Sequence, residues 1–237
     1  MRISLAEQFK SDLERIGNEL SRLEAEHRLW WSLVRRCHLD PRLGKPGLYM
    51  HTLQRWHYDS LAVGIRRQID DNADSISLVN CIKLIASRKL VIRRSDFVGR
   101  YSEEMQEIAI VEWNSLTHQD CAETYPPSRA YRHYEWLRKI SDEVRRWINK
   151  TVAHRARSTV QAVTLNHVWR LLQIMERLVE HYQFVTQSSY CRLRAQVWLD
   201  QGWHKPLCVP WFETSHSPDT SSPSIDELRS WQKAGLT

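Results

Sequence analysis

Apolar residues recur every three or four positions along the first part of the chain, at Leu5, Phe9, Leu13, Ile16, Leu20, Leu23, Trp30 and Leu33. Steps of that size fall on one stripe, so the pattern predicts a long amphipathic helix over 4–36. His27 interrupts the stripe, and Pro41, Gly44 and Pro46 end the helix. So long a seam needs a long partner, either another helix of this chain or a second copy of this one. A second helix is expected over 48–69 through Leu53, Trp56, Leu61 and Ile65, broken by Asp70-Asp71-Asn72-Ala73-Asp74, which offers acidic caps to the next. The third, 77–87, is apolar nearly all round at Leu78, Val79, Ile82, Leu84 and Ile85 and should be buried.

Helix four is expected over 102–116, and the stretch 117–129, with Pro126-Pro127, reads as a loop. A fifth helix, 131–156, carries the stripe Leu137, Ile140, Val144, Trp147, Ile148 and Val152. The sixth, 164–186, runs through Val168, Leu171, Leu172, Met175, Leu178 and Val179, and helix resumes over 193–199. No strand candidate outlasts four residues. The expected fold is an all-α bundle of about six helices occupying 1–212. Pro210-Trp211-Phe212 reads as a packed hook, and 213–237, rich in Ser, Pro and Thr, as a mobile tail.

Composition sharpens this picture. Apolar residues make up 42% of the chain, enough for a sizeable core, whereas seven glycines are too few for the turns of an all-β protein. The eleven tryptophans read mostly as bulky core filler. Five cysteines, Cys37, Cys81, Cys121, Cys191 and Cys208, are scattered and odd in number, and read as buried thiols of a reducing compartment. The N-terminus runs into charged helix without a secretory apolar block, and no stretch approaches the ~20 apolar residues of a bilayer span. A cytoplasmic protein that does not engage membranes is the expectation.

Net charge is +6, and it is concentrated. Between Arg138 and Arg157 seven bases face Asp142 and Glu143, and between Lys83 and Arg100 six face Asp96. The rest of the chain is therefore slightly acidic. Such patches suit a polyanion, nucleic acid being the commonest, or form solvated helix faces. No phosphate-cradling Gly loop, nucleophile elbow or Cys/His zinc pattern is present, so no metal or other cofactor is expected.

Chemistry concentrates in Arg145-Arg146-Trp147-Ile148-Asn149-Lys150-Thr151-Val152-Ala153-His154-Arg155. At helical spacing Arg146, Lys150 and His154 form a polar stripe, with His154 at the border of the apolar one. A partly desolvated imidazole beside cations stays neutral near pH 7 and can act as a base, while Arg and Lys neutralise a phosphate. Those are the parts for RNA cleavage without metal, a base for the 2′-hydroxyl and cations for the phosphorane. The alternative is a His154 that only hydrogen-bonds within a packing seam.

The string Asn149-Lys150-Thr151-Val152-Ala153-His154 resembles the end of the signature helix of the HEPN superfamily (higher eukaryotes and prokaryotes nucleotide-binding), near the abortive-infection AbiU branch. Gly64-Ile65-Arg66-Arg67-Gln68-Ile69-Asp70 with Ser75-Ile76-Ser77-Leu78 resembles the earlier helix pair of such proteins, and Pro210-Trp211 after Trp203 their C-terminal end. The superfamily's catalytic motif is Arg, four to six residues, then His, working across a homodimer. Here His154 matches the His, but the Arg position falls on Asn149, or on Ile148 or Trp147 at longer spacing, none of them Arg, and Arg145 and Arg146 lie too far upstream.

The resemblance implies a homodimeric prokaryotic defence or toxin–antitoxin protein that acts on RNA, with an antitoxin or defence-system partner. Two readings follow. In one the protein is a metal-independent endoribonuclease in which His154 is the base, Asn149 and Lys150 orient the phosphate, and Arg66 or Arg67 replaces the missing Arg. Arg145, Arg146, Arg155 and Arg157 then join Arg66 and Arg67 in binding RNA. In the other it is a non-catalytic module that binds RNA or a partner protein.

Overall fold

A computed structural model describes residues 3–39, 48–153 and 163–187. They form α1 (Leu5–Leu39), α2 (Leu48–Gln68), α3 (Leu78–Ala86), α4 (Arg94–Val98), a 3₁₀ turn (Glu103–Met105), α5 (Gln106–Thr117), α6 (Pro127–Trp147), a π-helical turn (Ile148–Ala153) and α7 (Leu165–Gln187). The only extended pairing among these residues is an isolated bridge between Arg93 and Thr124.

The long partner demanded by the first helix is found within the chain. α1 packs along α7 and α2, burying Phe9, Leu13, Ile16, Leu20 and Leu23 together with Val168, Leu172, Met175 and Val179. Five such side chains from α1, at about 1.5–3 kcal/mol each, make this seam a principal source of stability. Gly64 sets how closely α2 approaches, because a Cβ there would lie 2.4 Å from Leu23 Cδ1. α3 lies mainly against α6, with Leu78, Val79, Cys81, Ile82 and Ile85 buried.

Several boundaries differ from expectation. The cap of α3 is Ser77, whose Oγ accepts from Asn80 N at 3.2 Å. The acidic run before it instead takes cations, Asp70 from Arg66 and Asp71 from Lys83. The segment 94–98 forms an additional short helix, bringing the α-helices among the described residues to seven. α6 begins at Pro127, inside the expected loop, since proline at the first helical position loses no hydrogen bond and already has helical φ. His27 does not merely interrupt the stripe; it is 3% exposed and part of the core. Nor are all the thiols buried: Cys81 is, Cys37 is partly so, and Cys121 is exposed. Cys191, Cys208, the helix expected over 193–199, the Pro210-Trp211-Phe212 hook and the tail 213–237 lie outside the described residues.

Candidate functional site

The Asn149-Lys150 string sits where α6 changes its winding. The α-helical ladder runs to Trp147, and Ile148–Ala153 continue as a π-turn. Single π-turns are rare and concentrate at functional sites. The 3.6-residue stripe assumed for Arg146, Lys150 and His154 therefore stops before Lys150. Ile148 anchors the turn in the core, while Asn149 is half-buried and Lys150 exposed. Tyr58 of α2 packs edge-on against Trp147, with ring centroids 6.3 Å apart, and its hydroxyl meets the backbone of Leu165. α2 thus ties the end of α6 to the start of α7.

From that position α2 delivers Arg66 to the string. Arg66 Nε donates to Asn149 Oδ1 at 3.2 Å, and Arg66 Nη1 lies 3.3 Å from Asp70 Oδ1. Arg67, one residue further and about 100° around the helix, turns instead to α1, where Nη1 meets Glu19 Oε1 at 3.1 Å. Gln68 holds the other Glu19 oxygen at 2.8 Å. Of the two arginines offered as replacements, only Arg66 reaches the motif position. Arg145 and Arg146 both pair with Asp142, at 2.9 and 3.1 Å, and hold its carboxyl below its ordinary range. His154, Arg155 and Arg157 lie outside the described residues. Among the described residues no group of three or more His, Cys, Asp or Glu side chains is arranged to hold a metal ion.

Elsewhere among the described residues two histidine clusters occur. In the α1/α2/α7 seam, Trp31 Nε1 donates to His27 Nε2 at 2.9 Å. Indole nitrogen is only a donor, so the His27 proton sits on Nδ1 and is given to His57 Nε2, 3.1 Å away. Trp169 stacks on His27 at 4.3 Å and Trp30 on His57 at 5.4 Å. Burial holds His57 down to about 3 and pushes His27 well below its ordinary value. Beside this cluster Glu176 is raised to about 9, by burial first and by Glu24 next.

The second cluster joins α6 to α7. His133 Nδ1 lies 3.0 Å from Tyr182 Oη, Tyr125 Oη lies 2.8 Å from His181 Nε2, and the two tyrosine rings meet edge to face with centroids 6.1 Å apart. Burial, with Arg129 and Arg132 adding to it, holds His133 down to about 4. Arg129 Nε and Nη1 are shielded from solvent and have no hydrogen-bond partner. Sequence reading missed this end of α6 because it placed 117–129 in a loop. Proline at the first helical position followed by Arg129, Arg132 and His133 at helical spacing was the available signal.

No curated protein and no solved structure matches the chain. The AbiU2 family of HEPN proteins matches residues 6–198, which takes in α1 to α7, the π-turn and the Asn149-Lys150 string. This coverage agrees with the resemblance carried by the Gly64–Asp70 and Asn149–His154 strings, and the chain belongs to the AbiU2 family of abortive-infection HEPN proteins.

Proposed function

We propose that the protein acts on RNA in a prokaryotic defence or toxin–antitoxin system, as a homodimeric metal-independent endoribonuclease whose missing motif arginine is supplied by Arg66. The contact between Arg66 Nε and Asn149 Oδ1 carries this reading, because it brings a guanidinium from α2 to the position where the superfamily motif has its own. Asn149 then holds the cation, and Lys150, exposed one residue on, adds a second charge for the phosphate. His154 takes the proton of the 2′-hydroxyl, that oxygen attacks the adjacent phosphorus, the bond to the 5′-oxygen breaks, that oxygen takes a proton from water and leaves as a 5′-hydroxyl, and a cyclic phosphate remains. Arg66 and Lys150 stabilise charge on the phosphorane.

Purified protein incubated with a broad RNA pool in EDTA tests the reading. Cleavage with cyclic phosphate ends is expected. His154→Ala should abolish it with affinity changed by only a few fold, and Arg66→Ala should lower the rate on the order of 100-fold. Asn149→Arg, which restores the motif, should raise activity. Wild type and Asn149→Arg both inert toward RNA in EDTA would overturn the nuclease. The other reading, a non-catalytic module binding RNA or a partner protein, is favoured by the compensation of the arginines: Asp70 braces Arg66 and Asp142 holds Arg145 and Arg146. Salt-sensitive RNA binding without cleavage in all three variants would leave that reading standing.

A further inference from the structure

The first three turns of α6 carry a different kind of surface. Arg129, Arg132, His133, Trp136 and Lys139 fall at i, i+3, i+4, i+7 and i+10 on this helix, one continuous stripe about 15 Å long. Arg132, Trp136 and Lys139 are exposed, the indole by 45%. His133 is half-buried and fixed by Tyr182 Oη. None of the three cations has an ion-pair partner among the described residues. Glu135, the nearest carboxylate on the helix, pairs with neither Arg132 nor Lys139, and two of the Arg129 guanidinium nitrogens are shielded without any acceptor. The described arginines of the candidate site, Arg66, Arg67, Arg145 and Arg146, are by contrast each met by a carboxylate.

We infer that this stripe is a binding track for single-stranded RNA, with one base stacked on Trp136 and backbone phosphates on Arg132, Lys139 and the outer edge of Arg129. The inference rests on the RNA-directed reading above and adds to it a second contact surface, away from the Arg66–Asn149 junction. An exposed indole with a cation one turn before it and another one turn after it presents a stacking platform flanked by positive charge. A duplex keeps its base faces stacked inward and cannot use that platform, so a single strand fits and a double strand does not. The fixed His133 ring adds a flat polar wall without adding charge.

The test uses full-length protein and a fluorescein-labelled uridine oligonucleotide of about 12 nucleotides, within the range covered by one binding fold. The comparison probe is a blunt RNA duplex with the same number of phosphates. Wild type should prefer the single strand. Trp136→Ala should weaken binding about tenfold. Arg132→Gln with Lys139→Gln should flatten the dependence of log affinity on log salt by about 1.4, the release expected for two phosphate contacts on a single strand. These residues are exposed, so helix content by circular dichroism should not change. Wild-type binding with unaltered affinity and salt slope in both variants overturns the track and leaves the RNA reading intact. Equal binding of the duplex overturns the stacking role. Absence of any RNA binding by wild type at low salt removes the RNA reading and the track with it. Variants that keep full RNA affinity but lose association with a second protein would reassign the stripe to that protein.

Discussion

Two of the polar contacts that α2 makes with other parts of the chain have nearly the same length and very different surroundings. His57 Nε2 meets His27 Nδ1 of α1 at 3.1 Å, and Arg66 Nε meets Asn149 Oδ1 beyond α6 at 3.2 Å. The first is sealed: His27 is 3% exposed, both its nitrogens are matched, and tryptophan rings close over it. The second is open: the Arg66 side chain keeps 36% of its surface in solvent, with Asp70 beside it. A sealed contact is fixed by what its loss would orphan, whereas an open one can exchange partners with water or a ligand at little cost. Distance alone does not separate a fixed contact from an exchangeable one; surroundings do.

The largest loss should come from breaking the sealed contact. His27→Ala removes the acceptor of Trp31 Nε1 and the ring nitrogen facing His57 Nε2 and leaves a cavity among aromatic rings, so urea unfolding should show a loss of about 3–4 kcal/mol. A loss below about 1 kcal/mol would mean that the seam is not closed around the imidazole.

Acid should act on both histidine clusters. Buried histidines have folded pKa values below the ordinary 6.5, so their stabilisation is complete above that pH and is lost as pH falls from 6.5 toward the folded values. For His57 and His181, both held down to about 3, the loss at pH 5 should be about 2 kcal/mol each. Denaturant unfolding at pH 7 and pH 5 measures it, and equal stability at the two would contradict the burial. Glu176 works from the other side. Its folded pKa is raised to about 9, so its contribution is complete below the ordinary 4.5 and lost as pH rises through 9. Glu176→Gln should gain on the order of 5 kcal/mol at pH 8.5 and nothing near pH 4.

The smallest change in stability belongs to the open contact. Arg66→Ala should shift the unfolding free energy by less than about 1 kcal/mol, because a half-exposed pair adds little to folding. If it cost as much as His27→Ala, Arg66 would be a packing residue and its role toward RNA would fall. The comparison is therefore sharpest when both variants are measured for unfolding and for RNA cleavage.

Much of the fold was written in the period of the apolar residues. Leu5 through Leu33 gave α1, Val168 through Val179 gave α7, and the all-round apolar character of 78–85 gave a buried α3. The five residues of α4 are too few to show any period, and Pro126-Pro127 reads as a turn unless the helix that follows is recognised first. The site was half legible. Both arginines of α2 and Asn149 were identifiable, but 83 positions separate Arg66 from Asn149, and only the rotation of α2 against α6 decides which arginine arrives. His27 read as an interruption because the pattern treats every imidazole as polar. A neutral ring with both nitrogens satisfied packs as an aromatic.

The π-turn at Ile148–Ala153 makes the string a phase slip. Each hydrogen bond there spans one residue more than in the α-helix before it, so the turn acts as a single-residue insertion absorbed without a loop. Spacing counted in residues across it no longer measures angle: a side chain placed by α-helical arithmetic is carried out of line with those before Trp147. Deleting one residue between Asn149 and Ala153 would let the segment wind as ordinary α-helix and rotate everything that follows relative to α2. A family whose motif tolerates four, five or six intervening residues can accommodate such slips, because the orientation delivered at the end of the helix, and not the count, is what a reacting group requires.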